Sequence, residues 1–300
     1  MNLLLIGGSG YVGRNLAAYL AQKKFNVTIS YNENNPVSEF DSKIHCTKLN
    51  ILGQNECVDK IKNFDAAINL ACLAKPASAD NPSKSFQINV LGAENVVTAC
   101  SINKIPLIFV SSSEVYGPSN SKLNELSRCI PNSTYGRNKL IGEFICQTHN
   151  FHSSLDYLIL RPFNLYGSVT KDNNRRTVES IFLESAMKNQ SIKILDNKDS
   201  TKDFTYIYDF CRVIEIILLK NNFNNSIYNV GSSVSTSLYE LASICCKIAG
   251  KKEDLIEIIQ NNNLVERYNC DNTKIVREFE FKDFTPLENG LMNLRDSMYA

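Results

Sequence analysis

The chain has almost no net charge: 32 Lys and Arg stand against 31 Asp and Glu, a formal balance of +1. No global field therefore draws it to nucleic acid or to an anionic membrane, and any anion it binds must be held locally. It also lacks a basic stripe, a recognition-helix signature and a stacking motif, so a nucleic-acid partner has nothing to rest on. Long apolar runs are missing too. The opening MNLLLIGGSG holds only four consecutive apolar residues and no basic stretch, so it reads as a strand rather than a leader or a membrane span. Histidine is scarce, with only His45, His149 and His152, and no metal-ligand spacing appears. The ten cysteines contain no CxxC pair and a single doublet, Cys245 and Cys246, which excludes a disulfide framework or a zinc motif. Scattered thiols fit packing as small apolar groups in a reducing cytoplasm.

What the chain does have is alternation. Its 300 residues, 43% of them hydrophobic, can bury a full core as one large domain or as one plus a smaller partner. Short apolar runs at 3–6, 27–30, 66–71, 106–110 and 157–161 read as buried strands, and amphipathic stretches at 11–23, 54–63, 83–103 and 135–150 as helices. That order predicts an α/β fold with a doubly wound parallel sheet. Beyond RPFNLYG (161–167) the regularity weakens. SVTKDNNRR (168–176) reads as a polar loop, followed by helices near 177–188, 207–220 and 237–249 and short strands at 192–195 and 226–230. Asn-rich patches at 32–35, 221–225 and 261–263 read as loops. The expected division is a dinucleotide-binding domain over 1–167, to which the segment near 207–230 returns, and a mainly substrate-binding domain over 168–300.

The strand at 3–6 runs straight into GGSGYVG. A strand, a glycine turn and a helix start place backbone N–H groups and the positive end of a helix dipole at one point, which suits a pyrophosphate. Gly7 permits the turn, Gly10 lets phosphates approach, and Gly13 lets the helix pack close to the strand, with Ser9, Tyr11 and Val12 completing the cradle. The spacing is GxxGxxG rather than the usual GxGxxG. At the end of the second strand, where an acid would grip the adenosine ribose, stand Ser30, Tyr31 and Asn32. NADP(H) is therefore as open as NAD(H), and Arg14 is near enough in sequence to meet a 2′-phosphate.

YGRNK (135–139) places a phenol and an ammonium one helical turn apart. Most such pairs are ordinary surface neighbours. This one follows a strand (106–110) that leads into SSSEVYG, and ligands in doubly wound sheets gather at the carboxyl ends of strands. Oxidising a sugar hydroxyl needs a base that works near neutral pH. A phenol titrates near 10 in water, so bringing it to about 7 takes about 4 kcal/mol. A lysine charge at about 5 Å contributes roughly 3 kcal/mol at an effective dielectric of 20 and under 1 in bulk water, so the pair functions only in a sheltered cleft. Ser112 would donate a hydrogen bond to the reacting oxygen.

Taken in order, GGSGYVG, AAINLACLA, INVLGAENV, SSSEVYG, YGRNK, RPFNLYG and DFTYIYD resemble the extended short-chain dehydrogenase/reductase family, the NAD-dependent epimerase/dehydratase group that acts on nucleotide sugars. The resemblance covers about residues 1–245. It implies a Rossmann-type domain with a smaller C-terminal α/β substrate domain, commonly in a homodimer built by packing helices. Carried over by position, Asn50 and Ile51 would lie at the adenine, and Leu70, Ala71 and Asn89 would line the cofactor cleft. Ser112, Tyr135 and Lys139 would form the catalytic trio, Lys139 also holding the nicotinamide ribose. Asn164, Lys202 and Arg267 would meet the substrate diphosphate, Lys202 replacing an arginine found in relatives. Lysine offers a point charge there but no bidentate fork. Glu114 matches an acid used by dehydratases and decarboxylases of the family, although the aspartate that precedes it in 4,6-dehydratases is Ser113 here.

The expected activity is hydride transfer at C4 of a nucleotide diphosphate sugar. The missing ribose acid tilts the reading toward reduction of a 4-keto-6-deoxy sugar with dissociable NADP(H). A 4-epimerase with bound NAD uses the same trio, a dehydratase or decarboxylase would use Glu114, and a non-catalytic NADP-binding sensor or interaction module would need neither Tyr135 nor Lys139.

Overall fold

The computed structural model describes residues 1–33, 40–167, 177–194, 200–259 and 265–299. The loop read at 168–176 lies outside them, as do residues 34 and 35, 195 and 261–263 of the patches and strand named above. Seven strands form the main sheet. In chain order they are β1 (Asn2–Ile6), β2 (Asn26–Tyr31), β3 (Ile44–Lys48), β4 (Ala66–Asn69), β5 (Leu107–Val110), β6 (Tyr157–Pro162) and β7 (Ser226–Val230), interleaved with helices α1 (Tyr11–Ala21), α2 (Gln54–Ile61), α3 (Gly92–Asn103) and α4 (Thr134–Ser153). Their spatial order is β7-β6-β5-β4-β1-β2-β3, and the pairings of β1 with β2 and β4, β2 with β3, β4 with β5 and β5 with β6 are all parallel.

This is the Rossmann-type doubly wound arrangement that the sequence predicts. Residues 3–6, 66–69 and 107–110 are buried along their whole length, because helices cover both faces of a parallel sheet and leave no face for polar alternation. Leu4, Ile6, Ala67, Leu107 and Phe109 pack with Val96, Val97 and Cys100 of α3 and Cys146 of α4 in one apolar cluster. The order reverses between β1 and β4, so the carboxyl ends of these strands diverge around a crevice, the usual ligand site in such sheets.

Edge strand β3 has no counterpart in the sequence reading. Its IHCTK has only Ile44 buried, so it carries no apolar run. The predicted helix over 83–103 is divided into Pro82–Phe86, a π-helical turn Gln87–Leu91 and α3.

Two compact units divide the chain: residues 1–117, 127–161 and 211–228 form one, and 118–126, 162–210 and 229–300 the other. In the second unit, α5 (Val178–Met187) and α8 (Leu287–Tyr299) both pack against α7 (Leu238–Ile248). Strand Thr201–Asp203 lies between Ser235–Ser237 and Arg267–Tyr268 in a three-stranded sheet. Helix α6 (Ile207–Lys220) begins in the second unit and has residues 211–220 in the first. All ten thiols are free and seven are buried. Among the described residues no helix is long and apolar enough to cross a membrane, and no group of three His, Cys, Asp or Glu side chains is arranged to hold a metal ion.

Candidate active site

The glycine turn sits at the head of β1. Gly7 has φ +74°, and a Cβ there would come 2.6 Å from Cα of Ala71, so only glycine lets β1 and the segment after β4 approach across the switch point. Gly13 is similarly closed by Gly8, whereas a Cβ at Gly10 would meet only the Gly7 carbonyl, at 3.4 Å. Gly10 starts α1 with no side-chain cap and no acidic residue in the first turn. The first-turn amides of residues 11–13 have no intrahelical acceptor, and the dipole there favours an anion. This open, uncapped helix start fits a dinucleotide pyrophosphate.

Residues assigned to the rest of the cofactor have more local duties as well. Ser30 is buried, and its hydroxyl accepts the Gly7 amide at 3.0 Å, so it braces the glycine turn. Tyr31 is half-buried and Asn32 exposed. Arg14 donates from Nε to the Ser9 carbonyl at 2.7 Å, and its guanidinium lies 5.2 Å from the centre of the Phe40 ring. Asn50 accepts the Leu52 amide and so shapes the turn before α2, while the Ile51 carbonyl accepts from Asn95. Leu70 and Ala71 are half-buried beyond β4, where the Leu70 amide bonds the Ile6 carbonyl. Asn89, in the π-helical turn, accepts from the Leu73 amide at 2.7 Å and donates to the Leu73 carbonyl at 3.0 Å. It also donates to Ser85, whose hydroxyl accepts from Asn138 of α4. Asn89 thus ties the segment after β4 to the neighbour of Lys139.

The expected trio lies just after β5, at Ser112, and on α4, at Tyr135 and Lys139. Lys139 is 3% exposed, its Nζ donates to the Val110 carbonyl at 2.7 Å, and it lies 5.3 Å from the Phe109 ring centre and 5.9 Å from that of Tyr135. Burial pulls the Lys139 ammonium below its ordinary value, opposed by the buried Glu143 carboxylate. Tyr135 is half-buried. Ser112, 9% exposed, accepts the Glu114 amide at 3.2 Å, which leaves its proton available to donate. Gly136 closes the group. A Cβ there would press into the backbone of Glu114, so the glycine after Tyr135 allows the helix start to lie against the Ser112 segment.

Beneath the trio is a layer that sequence reading missed. Glu143, one turn beyond Lys139, is 1% exposed. It accepts from the Ser111 hydroxyl at 2.5 Å and is bonded in two places by Arg161, from Nε at 2.9 Å and Nη2 at 2.5 Å. Arg161 also lies 4.7 Å from the Tyr116 ring centre. Burial opposes the Arg161 charge, and the bonded Glu143 outweighs that, holding its pKa above the ordinary value. The signal was Glu143 at the i+4 position from Lys139 on the face already carrying Tyr135. Ser133, the cap of α4, was also missed, although a Ser before a helical run is a standard cap signal.

The residues expected to meet a substrate lie in the second unit. Asn164 donates to the Asp203 carbonyl at 2.8 Å. Lys202 pairs in register with Tyr268, next to Arg267, whose Nη1 donates to Asn120 at 2.7 Å. Asp203 is fully buried and accepts from the Ser232 amide and hydroxyl, the Ser233 amide and Thr205. Burial outweighs those bonds and pushes its carboxyl up to about 6.

The model of the NAD dependent epimerase/dehydratase family matches residues 3–231. A putative UDP-glucose 4-epimerase of Methanocaldococcus jannaschii is 31% identical over 255 residues, covering 81% of this chain and 80% of that protein. A UDP-N-acetyl-alpha-D-glucosaminuronate decarboxylase of Bacillus cytotoxicus is 25% identical over 266 residues, covering 85% and 82%. Among solved structures, the UDP-glucuronic acid 4-epimerase of Bacillus cereus in complex with UDP-glucuronic acid and NAD superposes with a TM-score of 0.88 at 22% identity, covering 100% of this chain and 99% of that one. With the family match spanning most of its length, the chain belongs to the NAD dependent epimerase/dehydratase family.

Proposed function

We propose that this protein interconverts the C4 epimers of a nucleotide diphosphate hexose, using bound NAD. The observation that carries the reading is the buried Lys139 ammonium beneath the Tyr135 ring. The uncapped start of α1 supports NAD binding through Gly7, Gly10 and Gly13, with Leu70, Ala71 and Asn89 along the crevice and Lys139 at the nicotinamide ribose. NAD, when bound, supplies reversible hydride acceptance. Tyr135 takes the C4 hydroxyl proton at its phenolic oxygen and returns it to that same oxygen once the sugar ring has presented its other face, so that C4 is inverted. Lys139 stabilises the phenolate, and Ser112 donates a hydrogen bond to the C4 oxygen as charge moves through it. Asn164, Lys202 and Arg267 hold the diphosphate. The relatives named as 4-epimerases support C4 inversion.

A second reading, reduction of a 4-keto-6-deoxy sugar by dissociable NADP(H), is favoured by the end of β2, where Ser30, Tyr31 and Asn32 offer no carboxylate to a ribose. One experiment separates the two. The purified protein is incubated with UDP-glucose or UDP-glucuronic acid without added cofactor, and separately with NADPH and a dTDP-4-keto-6-deoxy sugar. Isomerisation in the first tube with no NADPH oxidation in the second is expected; the reverse pattern makes the protein a reductase.

We further infer a homodimer in a reducing cytoplasm. Ile102 on α3 and Ile141 and Phe144 on α4 are 60%, 38% and 56% exposed, and the two helices pack side by side, giving an apolar surface that a second copy would cover. The free thiols suit that compartment.

A further inference from the structure

Glu114 occupies the position of the acid used by family dehydratases and decarboxylases, and its surroundings give it other work. One carboxylate oxygen, Oε2, accepts from both Lys75 Nζ at 2.6 Å and the Ser133 hydroxyl at 2.9 Å. Ser133 is the cap of α4, and its oxygen accepts the Gly136 amide at 3.0 Å. The Ser133 hydroxyl has one proton. Because that proton is committed to Glu114, a lone pair is left facing the helix amide. The backbone of Glu114 meanwhile donates its N–H to Ser112 at 3.2 Å and lies against Gly136. Residue 114 is therefore fastened at one end to the serine that would touch the sugar oxygen. At the other it is fastened to the first turn of the helix carrying Tyr135.

We propose that Glu114 is a positioning residue: with Lys75 it forms a carboxylate clamp that holds the Ser133 cap, and with it Tyr135, in register with Ser112. It exchanges no proton with the sugar. The inference rests on the C4 reading above, and it separates this chain from the dehydratase and decarboxylase chemistry that the same glutamate serves elsewhere in the family. Ser113 in place of the preceding aspartate agrees with it. Lys75 belongs to the clamp as well, because it supplies the second donor to the shared oxygen.

The test compares Glu114→Gln, Glu114→Ala, Ser133→Ala and the double variant Glu114→Ala/Ser133→Ala in the full chain. Glutamine keeps an oxygen that can accept from Ser133. A clamp predicts that Glu114→Gln stays within about tenfold of wild-type kcat, with both limbs of the pH profile in place. Glu114→Ala and Ser133→Ala should each lose about 10- to 100-fold in kcat, as expected for a misplaced reacting group. The double variant should be no worse than either single one, since both break a single path. An acid/base role predicts instead that Glu114→Gln is as inactive as Glu114→Ala, with one limb of the profile gone and Ser133→Ala nearly normal; that result overturns the proposal.

A readout independent of substrate is amide hydrogen exchange at residues 134–138. It should quicken in Glu114→Ala and Ser133→Ala but not in Glu114→Gln, and unchanged exchange in all three refutes the clamp. If the wild type turns over no UDP-hexose, the C4 reading fails while the exchange data still decide the clamp. Should Glu114→Ala not fold, the glutamine and serine variants alone carry both comparisons.

Discussion

Gly136→Ala puts the registration of the catalytic helix to the test with a single methyl group. In an unconstrained helix this change would stabilise by up to about 1 kcal/mol, the difference in helix propensity between the two residues. Here the new Cβ would fall under 3.0 Å from the Glu114 carbonyl oxygen and at 3.0 Å from its carbonyl carbon and from the Pro131 Cβ. The obstacle is backbone, which cannot swing aside as the end of a flexible side chain can. The start of α4 must therefore withdraw from the Ser112 segment by roughly half an ångström. Overpacking of this kind costs about 1–3 kcal/mol, which exceeds the propensity gain, so the melting temperature should fall by a few degrees rather than rise. Catalysis should suffer more than stability, because Tyr135 is the adjacent residue, and misplacement of a reacting group by about 1 Å can cost about 100-fold. Steady-state kinetics of C4 isomerisation, thermal denaturation and cofactor titration together read the outcome: kcat down about 10- to 100-fold, Tm down, cofactor affinity unchanged. An alanine variant with wild-type kcat and a raised Tm would refute the argument.

Tyr135→Phe should lose about 100- to 10,000-fold in kcat, the usual worth of a positioned acid/base group, while binding cofactor normally by fluorescence titration. Gly7→Ala, which forces a side chain into a left-handed backbone and against Ala71, should abolish cofactor binding or folding; near-normal affinity would remove the glycine turn from the site. Asp203 has a folded-state pKa of about 6, raised by burial from 3.8. Its contribution to stability is full below pH 4 and is lost as pH rises through 6, about 3 kcal/mol in all; urea unfolding of wild type against Asp203→Asn between pH 4 and 7 should show that slope only in the wild type. Phe144→Glu should convert a dimer to a monomer by light scattering, and a wild type that is already monomeric would dispose of the proposed interface.

Much of the fold was legible because the buried strands are apolar on both faces and the helices between them keep a 3.6-residue period. Strand β3 was not, since an edge strand with one buried residue leaves no hydrophobic pattern to read. In the candidate site, Tyr135 and Lys139 drew notice because the chemistry demands a residue type, and Gly7 because the backbone geometry demands glycine. The candidate site was not legible where a polar group serves another protein group. Ser30, read as a cofactor contact, also braces Gly7. Glu114, matched by position to an acid of family dehydratases, is bonded to Lys75 and Ser133. Glu143 drew no notice because a glutamate in a helix ordinarily faces water. Such pairings join residues distant in the chain, and neither spacing nor composition announces them.

The electrostatic logic of the site depends on those hidden partners. At 5.9 Å from the Tyr135 ring centre, a full charge on Lys139 is worth about 3 kcal/mol to a phenolate at an effective dielectric of 20, and under 1 kcal/mol in bulk water. Shelter is therefore required, yet the same shelter drives the ammonium toward its neutral form. The Val110 carbonyl accepts one of its protons, the Phe109 ring offers a negative face, and Glu143 opposes the loss of charge from one turn below. Glu143 can remain there only because Ser111 and Arg161 satisfy its oxygens. Removing one member of a buried ion pair costs about 3–5 kcal/mol. The layer beneath the trio thus supports the fold and keeps a cation under the phenol with a single set of bonds, and a change at Glu143 should disturb stability and the alkaline limb of catalysis together.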